Sequence, residues 1–391
     1  MNRYGDVVPF HIGRRRALCV TGPEALQQLL EDRDDLFTKQ TRGYDELSLF
    51  LGRGLLTSSG ETWKRSRRVV AAHMQPSRLR ALIPLITSSA ERELSALARA
   101  AHAGRAIDVL PLATRLTLSV IGAVLVGVDL AAEASWMRES VQTLQEGASA
   151  RISASYALPM WLPLAAHRRV SHASRTIRSY ARALAANPAP GSLLEGWLRY
   201  AKQHAIPIDP EQIESEVVTF LLAGHESTAN TLAWALYELA AAPDYDRACS
   251  ERDDAALDAV FRETLRLYPQ GWSFGRSAAR DCELQGVRVR AGELLMAVPY
   301  ATHRHPRHWP APTRFDPTRF TRSHDRHRYS FVPFSAGRRA CAGAALAALE
   351  VVETLRTWLP HFRFERVGQA ALEPRITLRP KGGMWLRPIV R

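Results

Sequence analysis

Helical periodicity from about Gln75 to Val260 sets the strongest limit on the fold of this chain. Leu, Ala and Val recur there every three to four residues, with Arg or Glu between them, as they do along one buried helix face. The pattern predicts helices that include 77–101, 116–126, 171–186 and 211–241. This region by itself favours a mainly helical fold class.

Strand-like patterns are confined to residues 6–20 and to the part of the chain after Tyr268. Residues 282–289 are typical of a hairpin with Gly286 in its turn, and 294–298 form a further extended segment. We therefore expect a mostly α (α+β) fold, a large helical domain with small β-sheet pieces near the N-terminus and in the C-terminal third.

A Pro-rich stretch at 299–317 is the strongest candidate for a linker. Tyr300, Trp309 and Phe315 interrupt it, which favours an ordered, packed meander over a flexible tether. The chain has no internal repeat, and 46% of its 391 residues are apolar, enough for a large core. We expect one domain over 1–391 and exclude the disordered and disulfide-stapled classes.

The excess of positive charge indicates an acidic partner. The chain has 52 Lys and Arg against 39 Asp and Glu, a net charge of +13. Nucleic acid, an anionic surface and an acidic protein would all fit this balance, and charge does not choose among them.

The cysteines and the N-terminus indicate the compartment. Four cysteines without paired spacing fit a reducing environment. The N-terminus lacks the apolar core of a signal peptide, and the longest largely apolar run, 116–128, is too short to span a bilayer. These observations predict a soluble, cytoplasmic protein without a membrane anchor.

One of the four, Cys341, lies in an unusual segment. Residues 331–343 form an aromatic, Gly-punctuated loop that leads into a predicted helix at 344–358. A helix N-terminus stabilises negative charge, and Arg338 and Arg339 would add to that effect, so Cys341 is the best candidate thiolate.

Two other interpretations of Cys341 are open from these residues. An isolated cysteine is most often a buried structural side chain. A nucleophilic cysteine of the phosphatase type would need an arginine six residues later, where Ala347 stands, and no adjacent histidine offers a general base.

The pattern Phe334-x-x-Gly337-x-Arg339-x-Cys341-x-Gly343 resembles the haem-binding loop of the cytochrome P450 family. The resemblance implies haem b as cofactor, with Cys341 as the thiolate ligand of the iron. It also implies that Arg339 contacts a haem propionate and that the two glycines let the backbone turn tightly under the macrocycle.

The predicted helix 211–241 contains Ala223-Gly224-His225-Glu226-Ser227-Thr228. A glycine and hydroxyl side chains weaken or bend a helix, so an imperfect buried helix would explain the segment. It also resembles the distal-helix motif of the same family. That resemblance implies Glu226, Ser227 and Thr228 as catalytic residues, with Ser227 where threonine is usual, a change that removes a methyl group and affects coupling.

The segment Glu263-Thr264-Leu265-Arg266 places a carboxylate and a guanidinium on one helix face. A surface ion pair of little energetic value would look the same. The family's Glu-x-x-Arg motif fits these two residues, and Arg319 in the later meander would complete the network. Thr318 and His305 differ from the residues that the family usually has at these two positions. The resemblance assigns this network to holding the haem loop.

Three further residues resemble haem contacts of the family. Trp63 and Arg67 lie one helical turn apart and match its Trp-x-x-x-Arg pattern, while Arg276 matches a position that contacts a propionate. A solvated basic helix is the ordinary explanation of the first pair.

The resemblance as a whole implies a soluble, bacterial-type monooxygenase, expected as a monomer, that inserts one atom of O2 into a substrate. Electrons would come from NAD(P)H through a reductase and a ferredoxin or flavodoxin. Arg65, Arg68 and Arg338 would form a basic docking face for that partner. A peroxygenase of the same fold is an alternative, and the presence of Glu226 and Ser227 argues against it. A protein that binds nucleic acid or a membrane surface is another alternative. The sequence has no basic run with interleaved aromatic residues to support it.

Substrate identity is the least constrained inference. Candidate pocket segments are 38–56, 270–274 and 381–384. The individual candidates are Phe220, Ala223, Gly224, Trp272 and Phe274. Their apolar character favours a hydrophobic small molecule of secondary metabolism, such as a terpenoid or a fatty acyl compound.

Overall fold

A computed structural model describes residues 5–32, 35–154, 156–322 and 325–391. Residues 1–4, part of the segment considered above for a signal sequence, lie outside this range. Within it, the helices are α1 (Pro23–Leu30), α2 (Arg42–Leu51), α3 (Gly60–His73), α4 (Pro76–Arg80), α5 (Ile83–His102), α6 (Val109–Val126), α7 (Ala134–Ser153), α8 (Ala165–Ala185), α9 (Leu193–Gln203), α10 (Pro210–Leu239), α11 (Pro243–Ser250), α12 (Asp254–Leu267), α13 (Pro299–Thr302), α14 (Thr318–Thr321) and α15 (Ala344–Trp358).

The strands are short. They are β1 (Val7–Ile12), β2 (Arg15–Val20), β3 (Phe37–Thr38), β4 (Ile107–Asp108), β5 (Phe274–Ala278), β6 (Cys282–Leu284), β7 (Val287–Val289), β8 (Leu294–Ala297), β9 (Phe362–Arg366), β10 (Leu372–Pro374), β11 (Leu378–Pro380) and β12 (Trp385–Val390). The mostly helical α+β class is confirmed.

The predicted strand regions near the N-terminus and after Tyr268 join in one sheet. Its strand order is β1-β2-β8-β5-β3, with β2 and β8 parallel and the other neighbours antiparallel. A second sheet has the order β4-β12-β9, and β6-β7 and β10-β11 are hairpins. The hairpin at Gly286 is confirmed, and this glycine has a φ of +76° in the turn.

Helix boundaries differ from the predictions where a proline intervenes. The single helix predicted over 77–101 is two helices, α4 and α5, because Pro84 lies in the first turn of α5. Proline is tolerated in a first helical turn but not in a helix interior, since it lacks the N–H that the preceding turn would accept. The helix predicted over 344–358 has those bounds.

Helix α10 is the central element of the helical part. It runs as an uninterrupted α-helix of 30 residues, about 45 Å long at 1.5 Å per residue. Asp209 caps its N-terminus by accepting a hydrogen bond from the Glu211 amide at 2.9 Å. A Cβ on Gly224 would lie 2.7 Å from the Cγ1 of Ile121, so this glycine permits close packing of α10 on α6.

Helix α6 is the one helix among the described residues whose length and apolar composition would suffice to cross a membrane. It is packed against α5 and α10, and 78% of it is buried within the protein.

The Pro-rich meander is ordered, as predicted. Trp309 is fully buried there, and its indole Nε1 donates a hydrogen bond to the Ser330 carbonyl at 3.2 Å. His305 is also buried and bonds the Asp6 carboxylate at 3.0 Å, which ties the meander to the start of β1.

Candidate active site around Cys341

A cavity of about 420 Å³ lies between α10 and the loop that carries Cys341. Its walls come from α2, α3, α6, α7, α10, α12 and α15, and most of the side chains that face it are apolar. Among them are Leu47, Phe50, Leu51, Leu55, Leu56, Ile121, Leu144, Ala148, Leu222, Phe261, Leu265, Leu346 and Ile376. The cavity suits an apolar ligand.

Cys341 lies in the wall of this cavity, three residues before α15. Its amide donates a hydrogen bond to the Phe334 carbonyl at 2.8 Å, which closes the loop. Burial raises the pKa of the Cys341 thiol, while the Gly343 amide and Arg67 act in the opposite direction. A thiol in this setting becomes a thiolate when a metal ion displaces its proton.

The prediction that Arg338 and Arg339 stabilise a thiolate at Cys341 is wrong. Arg338 points outward and pairs with Asp35 at 2.6 Å, and Arg339 donates to the Ser58 carbonyl at 3.0 Å. The cation that lowers the pKa of the Cys341 thiol is instead Arg67 of α3, which the sequence predicted only as a haem contact.

Gly337 also has a different role from the one expected. It does not line the cavity; its φ is +67°, and a Cβ there would lie 2.0 Å from the Leu30 carbonyl oxygen. The glycine therefore lets the loop pass directly against the end of α1. Gly343 and Phe334 do line the cavity.

Four cations gather at one end of the cavity. Arg67, Arg276 and Arg339 were predicted as haem contacts, whereas Lys39 was predicted only as part of the candidate pocket segment 38–56. Burial, followed by the charges of Arg276, Arg339 and Arg67, lowers the pKa of Lys39 well below its usual range. Burial and then Arg276 also lower the pKa of Arg339, to about 10. Lys39 lies outside every motif, and only its place beside the others identifies it.

These four cations lack acidic partners among the described residues. Lys39 donates to the Leu56 carbonyl at 2.9 Å, Arg67 to the Ala340 carbonyl at 2.8 Å, and Arg276 to the Tyr44 hydroxyl at 3.4 Å. The guanidinium of Arg339 lies 3.8 Å from the centre of the Trp63 ring, which confirms that α3 presents Trp63 to this end of the cavity.

The residues fit haem. Buried cations without carboxylate partners are costly unless an anion joins them, and haem has two propionate carboxylates. The thiol of Cys341 is a soft donor for iron, and an apolar cavity suits the faces of a macrocycle. An anionic, flat, iron-containing group would thus meet suitable side chains on every side.

Ser227 and Thr228 both line the cavity from α10. The Ser227 hydroxyl donates to the Ala223 carbonyl, one turn earlier, at 2.9 Å. Thr228 is buried against Glu350 of α15, a carboxyl group that sequence reasoning missed. Burial raises the pKa of Glu350 well above its usual range, with Thr228 acting against it. No local motif marks Glu350, because only the packing of α15 on α10 buries it here.

Glu226 is not a cavity-lining residue, although it is adjacent to Ser227 in sequence. Its carboxylate accepts a hydrogen bond from the Gln145 amide of α7, and the Thr377 hydroxyl is a second partner. Burial raises the pKa of Glu226 to about 7, against the effects of Arg379, Thr377 and Gln145. Gln145 and Thr377 do face the cavity, so polar side chains connect it to Glu226.

Replacing Glu226 with glutamine is expected to stabilise the protein more as the pH rises. A pKa raised from 4.5 to about 7 means that the folded state retains this proton where the unfolded state has lost it. The decrease in the free energy of unfolding that Glu226 causes is absent below pH 4.5 and reaches about 3 kcal/mol near pH 7. Urea unfolding of both proteins between pH 5 and pH 7.5 measures the difference, and a difference that stays constant would contradict this assignment.

The Glu263, Arg266 and Arg319 network is confirmed as a contact and is buried. Glu263 and Arg266 have no exposed side-chain surface and form a two-bond pair at 2.7 Å, while Arg319 lies 3.4 Å from Glu263. Burial raises the pKa of Glu263, against Arg266 and Arg319. The alternative of a surface ion pair is therefore wrong.

Of the residues predicted for the substrate pocket, Phe220, Ala223, Gly224 and Phe274 line the cavity. Trp272 does not line it, because its indole turns away and donates to the Arg375 carbonyl at 2.8 Å.

The segment 381–384 is also absent from the cavity wall, since Met384 packs in the helical core. The preceding turn at Ile376 and Thr377 takes its place.

Comparisons with known proteins agree with this geometry. The family model described as cytochrome P450 matches residues 1–387. Thromboxane-A synthase of Sus scrofa is 27% identical over all of this chain and 86% of its own length. Cytochrome P450 4V2 of Homo sapiens is 29% identical over 88% of this chain and 75% of its own length.

Two solved bacterial structures have a similar fold. A six-coordinated cytochrome P450 from Thermus thermophilus superposes with a TM-score of 0.82 and 27% identity, covering 98% of this chain and 95% of its own. CYP175A1, from another strain of the same organism, superposes with a TM-score of 0.84 and 29% identity, covering 98% of this chain and 92% of its own.

Proposed function

The chain belongs to the cytochrome P450 family, and we propose that it inserts one atom of O2 into a hydrophobic small molecule, with Cys341 as the thiolate ligand of haem iron. The family's cofactor is haem with a thiolate-ligated iron, O2 is its co-substrate, and its electrons come from NAD(P)H through a reductase. Thiolate-ligated haem iron supplies the oxidising chemistry when it is bound. The observation that carries the proposal is Cys341 and Ser227 in the wall of one apolar cavity, with four cations that lack acidic partners among the described residues at its end.

The cations would hold the propionates. Arg67 lies on α3, Arg276 on β5 and Arg339 in the cysteine loop. Lys39 directly follows β3. Because these segments are far apart in sequence, an anion that binds all of them would clamp the N-terminal and C-terminal parts of the fold together.

Two polar groups on α10 would handle protons. Ser227 lines the cavity, and its hydroxyl would hold a proton at the cavity wall once it releases the Ala223 carbonyl. Glu226, with a pKa of about 7, can hold or release a proton next to Ser227, and hydrogen bonds join its carboxyl group to Gln145 and Thr377 of the cavity wall. Thr228 of α10 lies beside the buried Glu350 carboxyl group of α15.

Electrons would arrive at the face of the protein that carries the cysteine loop. Arg65 and Arg68 are exposed on α3, and Arg67 between them bonds the carbonyl of the residue before Cys341. With the exposed Arg338 they form a basic surface that suits an acidic ferredoxin or flavodoxin. We assign the protein to the cytoplasm as a monomer that acts on a terpenoid or fatty acyl compound of secondary metabolism.

Replacing Ser227 with alanine is expected to separate NAD(P)H oxidation from product formation. The alanine variant keeps the cavity and the cysteine loop but loses the hydroxyl that faces them, so about 100-fold less product should form per NAD(P)H consumed, the lower end of the effect of a general acid. The measurement uses ferredoxin, its reductase and NAD(P)H, and it quantifies product and hydrogen peroxide together.

Ser227→Thr is the matched control, since it retains the hydroxyl and adds the methyl group usual in the family. It should equal or exceed the wild-type yield. Equal yields for Ser227→Ala and wild type would remove the proposed role of this residue. Turnover with hydrogen peroxide but none with ferredoxin, reductase and NAD(P)H would replace the monooxygenase by a peroxygenase.

A further inference from the structure

Glu216 of α10 is a buried carboxyl group that lies outside every motif and outside the proposed proton and haem contacts. Only 1% of this residue is exposed. Three hydrogen-bond donors converge on its oxygens: the Leu55 amide at 2.9 Å, the Gln212 side-chain amide at 2.8 Å and the Ser66 hydroxyl. One carboxyl group therefore joins α10 to α3 and to the segment before α3, which are 150 or more residues away in the chain.

The segment that Glu216 bonds is the 52–58 loop, between α2 and α3. Gly54 lets this loop lie directly on α10, since a Cβ there would lie 2.3 Å from the Thr219 hydroxyl oxygen. Within the loop, the Ser58 amide donates to the Gly54 carbonyl at 2.9 Å. The loop is thus an ordered turn in close contact with α10.

The other side of this loop belongs to the cavity, which Leu55 and Leu56 line. The Leu56 carbonyl accepts the hydrogen bond of Lys39 at 2.9 Å, and the Ser58 carbonyl accepts that of Arg339 at 3.0 Å. The loop therefore supplies backbone acceptors to two of the four cations at the end of the cavity. Its position determines where those two cations lie.

Helix α3 is tied to the same carboxyl group. Ser66, which donates to Glu216, is buried and directly precedes Arg67. Arg67 in turn donates to the carbonyl of Ala340, the residue before Cys341. A third cation of the cavity thus lies on an element that Glu216 contacts.

We propose that Glu216 is a positioning residue for the cation end of the cavity, and that it holds the 52–58 loop on α10 more tightly when protonated than when ionised. The proposal rests on the proposed function, which assigns these cations to the haem propionates. A protonated carboxyl group can accept from the Leu55 amide with one oxygen and donate to the Ser66 hydroxyl from the other. It satisfies both contacts without a buried charge.

The surroundings give the ionised form no counter-charge. No charged side chain in the described part of the chain bonds this carboxyl group or shifts its pKa. Arg67 of α3 turns to the cysteine loop, His73 of α3 bonds the Val69 carbonyl, and Glu214 of α10 pairs with two arginines of α8. The remaining charged residues of these three segments near Glu216 are exposed: Arg53, Glu61, Lys64, Arg65, Arg68 and Glu211.

The direction of the pH effect follows from burial. Burial raises the pKa of Glu216 to about 7, against its three hydrogen bonds. When the loop opens, water reaches the carboxyl group and its pKa returns to the ordinary value of 4.5. The docked loop therefore retains a proton that the open loop releases, so docking weakens as the pH rises. These two pKa values give about tenfold more opening at pH 8 than at pH 6.

Hydrogen–deuterium exchange of the haem-loaded protein, read by mass spectrometry on peptides that cover residues 52–58, measures this opening. After division by the intrinsic rate at each pH, exchange in the wild type should be about tenfold faster at pH 8 than at pH 6. Glu216→Gln presents the hydrogen bonds of the protonated group at every pH, so its corrected exchange should change by less than about twofold.

Glu216→Leu tests the positioning role itself. It leaves the buried Leu55 amide without an acceptor, so the loop should exchange at least about tenfold faster than in the wild type at pH 6. With apomyoglobin as the haem acceptor, this variant should also release haem at least about fivefold faster, while Glu216→Gln releases it at the wild-type rate. If the leucine variant does not fold, the comparison of Glu216→Gln with the wild type at the two pH values decides alone.

Glu226→Gln is the matched control. Glu226 is a second buried glutamate of α10 with a pKa of about 7, but it bonds Gln145 of α7 rather than the loop. Its loop exchange should keep the wild-type pH dependence. Neither measurement uses turnover, so a protein that holds haem but forms no product would contradict the proposed function and leave this test intact.

Three outcomes would overturn the proposal. The first is loop exchange that does not depend on pH in the wild type or that keeps its pH dependence in Glu216→Gln. The second is loss of that dependence in Glu226→Gln as well, which would trace it to overall stability. The third is wild-type loop exchange and haem release in a folded Glu216→Leu variant.

Discussion

The Cys341→Ala variant is expected to lose the strongly red-shifted Soret band that a thiolate-ligated haem gives in its reduced complex with carbon monoxide. The sulfur of Cys341 is the one soft donor among the cavity-lining residues of the described chain that can become anionic, since Met74, the other sulfur-containing residue there, offers a neutral thioether. Without a thiolate the iron lacks the electron donation that the chemistry requires. Product formation should fall to the background of the assay.

The fold should survive this change. Cys341 faces the cavity, and the hydrogen bond that closes its loop runs from its backbone amide to the Phe334 carbonyl, which alanine preserves. Far-ultraviolet circular dichroism of the variant should match that of the wild type. Any residual haem in the variant should lack the red-shifted band.

Cys282 offers a matched control. It lies in β6, part of the small hairpin, and is absent from the cavity wall. Cys282→Ala should keep the red-shifted band and the activity. Retention of that band in Cys341→Ala would refute the assignment of Cys341, and its loss in both variants would point to a general effect of removing a thiol.

Replacing Arg266 with alanine is the second large effect. Arg266 has no exposed side-chain surface and donates to both oxygens of Glu263 and to the carbonyls of three meander residues, His303, Pro312 and Arg314. Its removal leaves the buried Glu263 carboxylate short of a partner, a loss of about 3–5 kcal/mol in the free energy of unfolding. Urea unfolding of the haem-loaded protein measures it.

A surface pair with the same spacing provides the control. Arg247 pairs with Asp244, three residues earlier on α11, at 3.1 Å, but the two side chains are 69% and 89% exposed. Arg247→Ala should cost less than about 1 kcal/mol, because water solvates both charges in either state. Equal losses for the two arginines would contradict a structural role of the buried network.

Arg266→Lys is the test variant to use if Arg266→Ala does not fold. Lysine retains the positive charge but lacks the planar fork that bonds both Glu263 oxygens and three carbonyls. Its loss of stability should fall between those of Arg247→Ala and Arg266→Ala. Haem content, measured with the same samples, should decrease with stability, since the meander that Arg266 holds packs beside the cysteine loop.

Local patterns determined the elements that depend on near neighbours. The 3.6-residue periodicity predicted the long helices, the hairpin at Gly286 followed from its turn residue, and α15 has its predicted bounds. The cysteine loop was recognisable for the same reason, since its residues are contiguous in the chain.

Only the tertiary structure brought together residues that are distant in sequence. Lys39 follows β3 and Glu350 lies on α15, and neither belongs to a motif, yet packing places both in the cavity wall. Packing also turned Trp272 away and directed Glu226 to Gln145 of α7, because a side chain's direction depends on which helices and loops surround it.

The sequence by itself therefore determined the fold class, the family and the cysteine that we propose as the iron ligand, since each depends on short-range patterns. The tertiary structure decided which cations share one end of the cavity, that the Glu263–Arg266 pair is buried, and that Trp161 faces solvent. Burial and long-range electrostatics depend on contacts between elements far apart in the chain, and no local spacing encodes them.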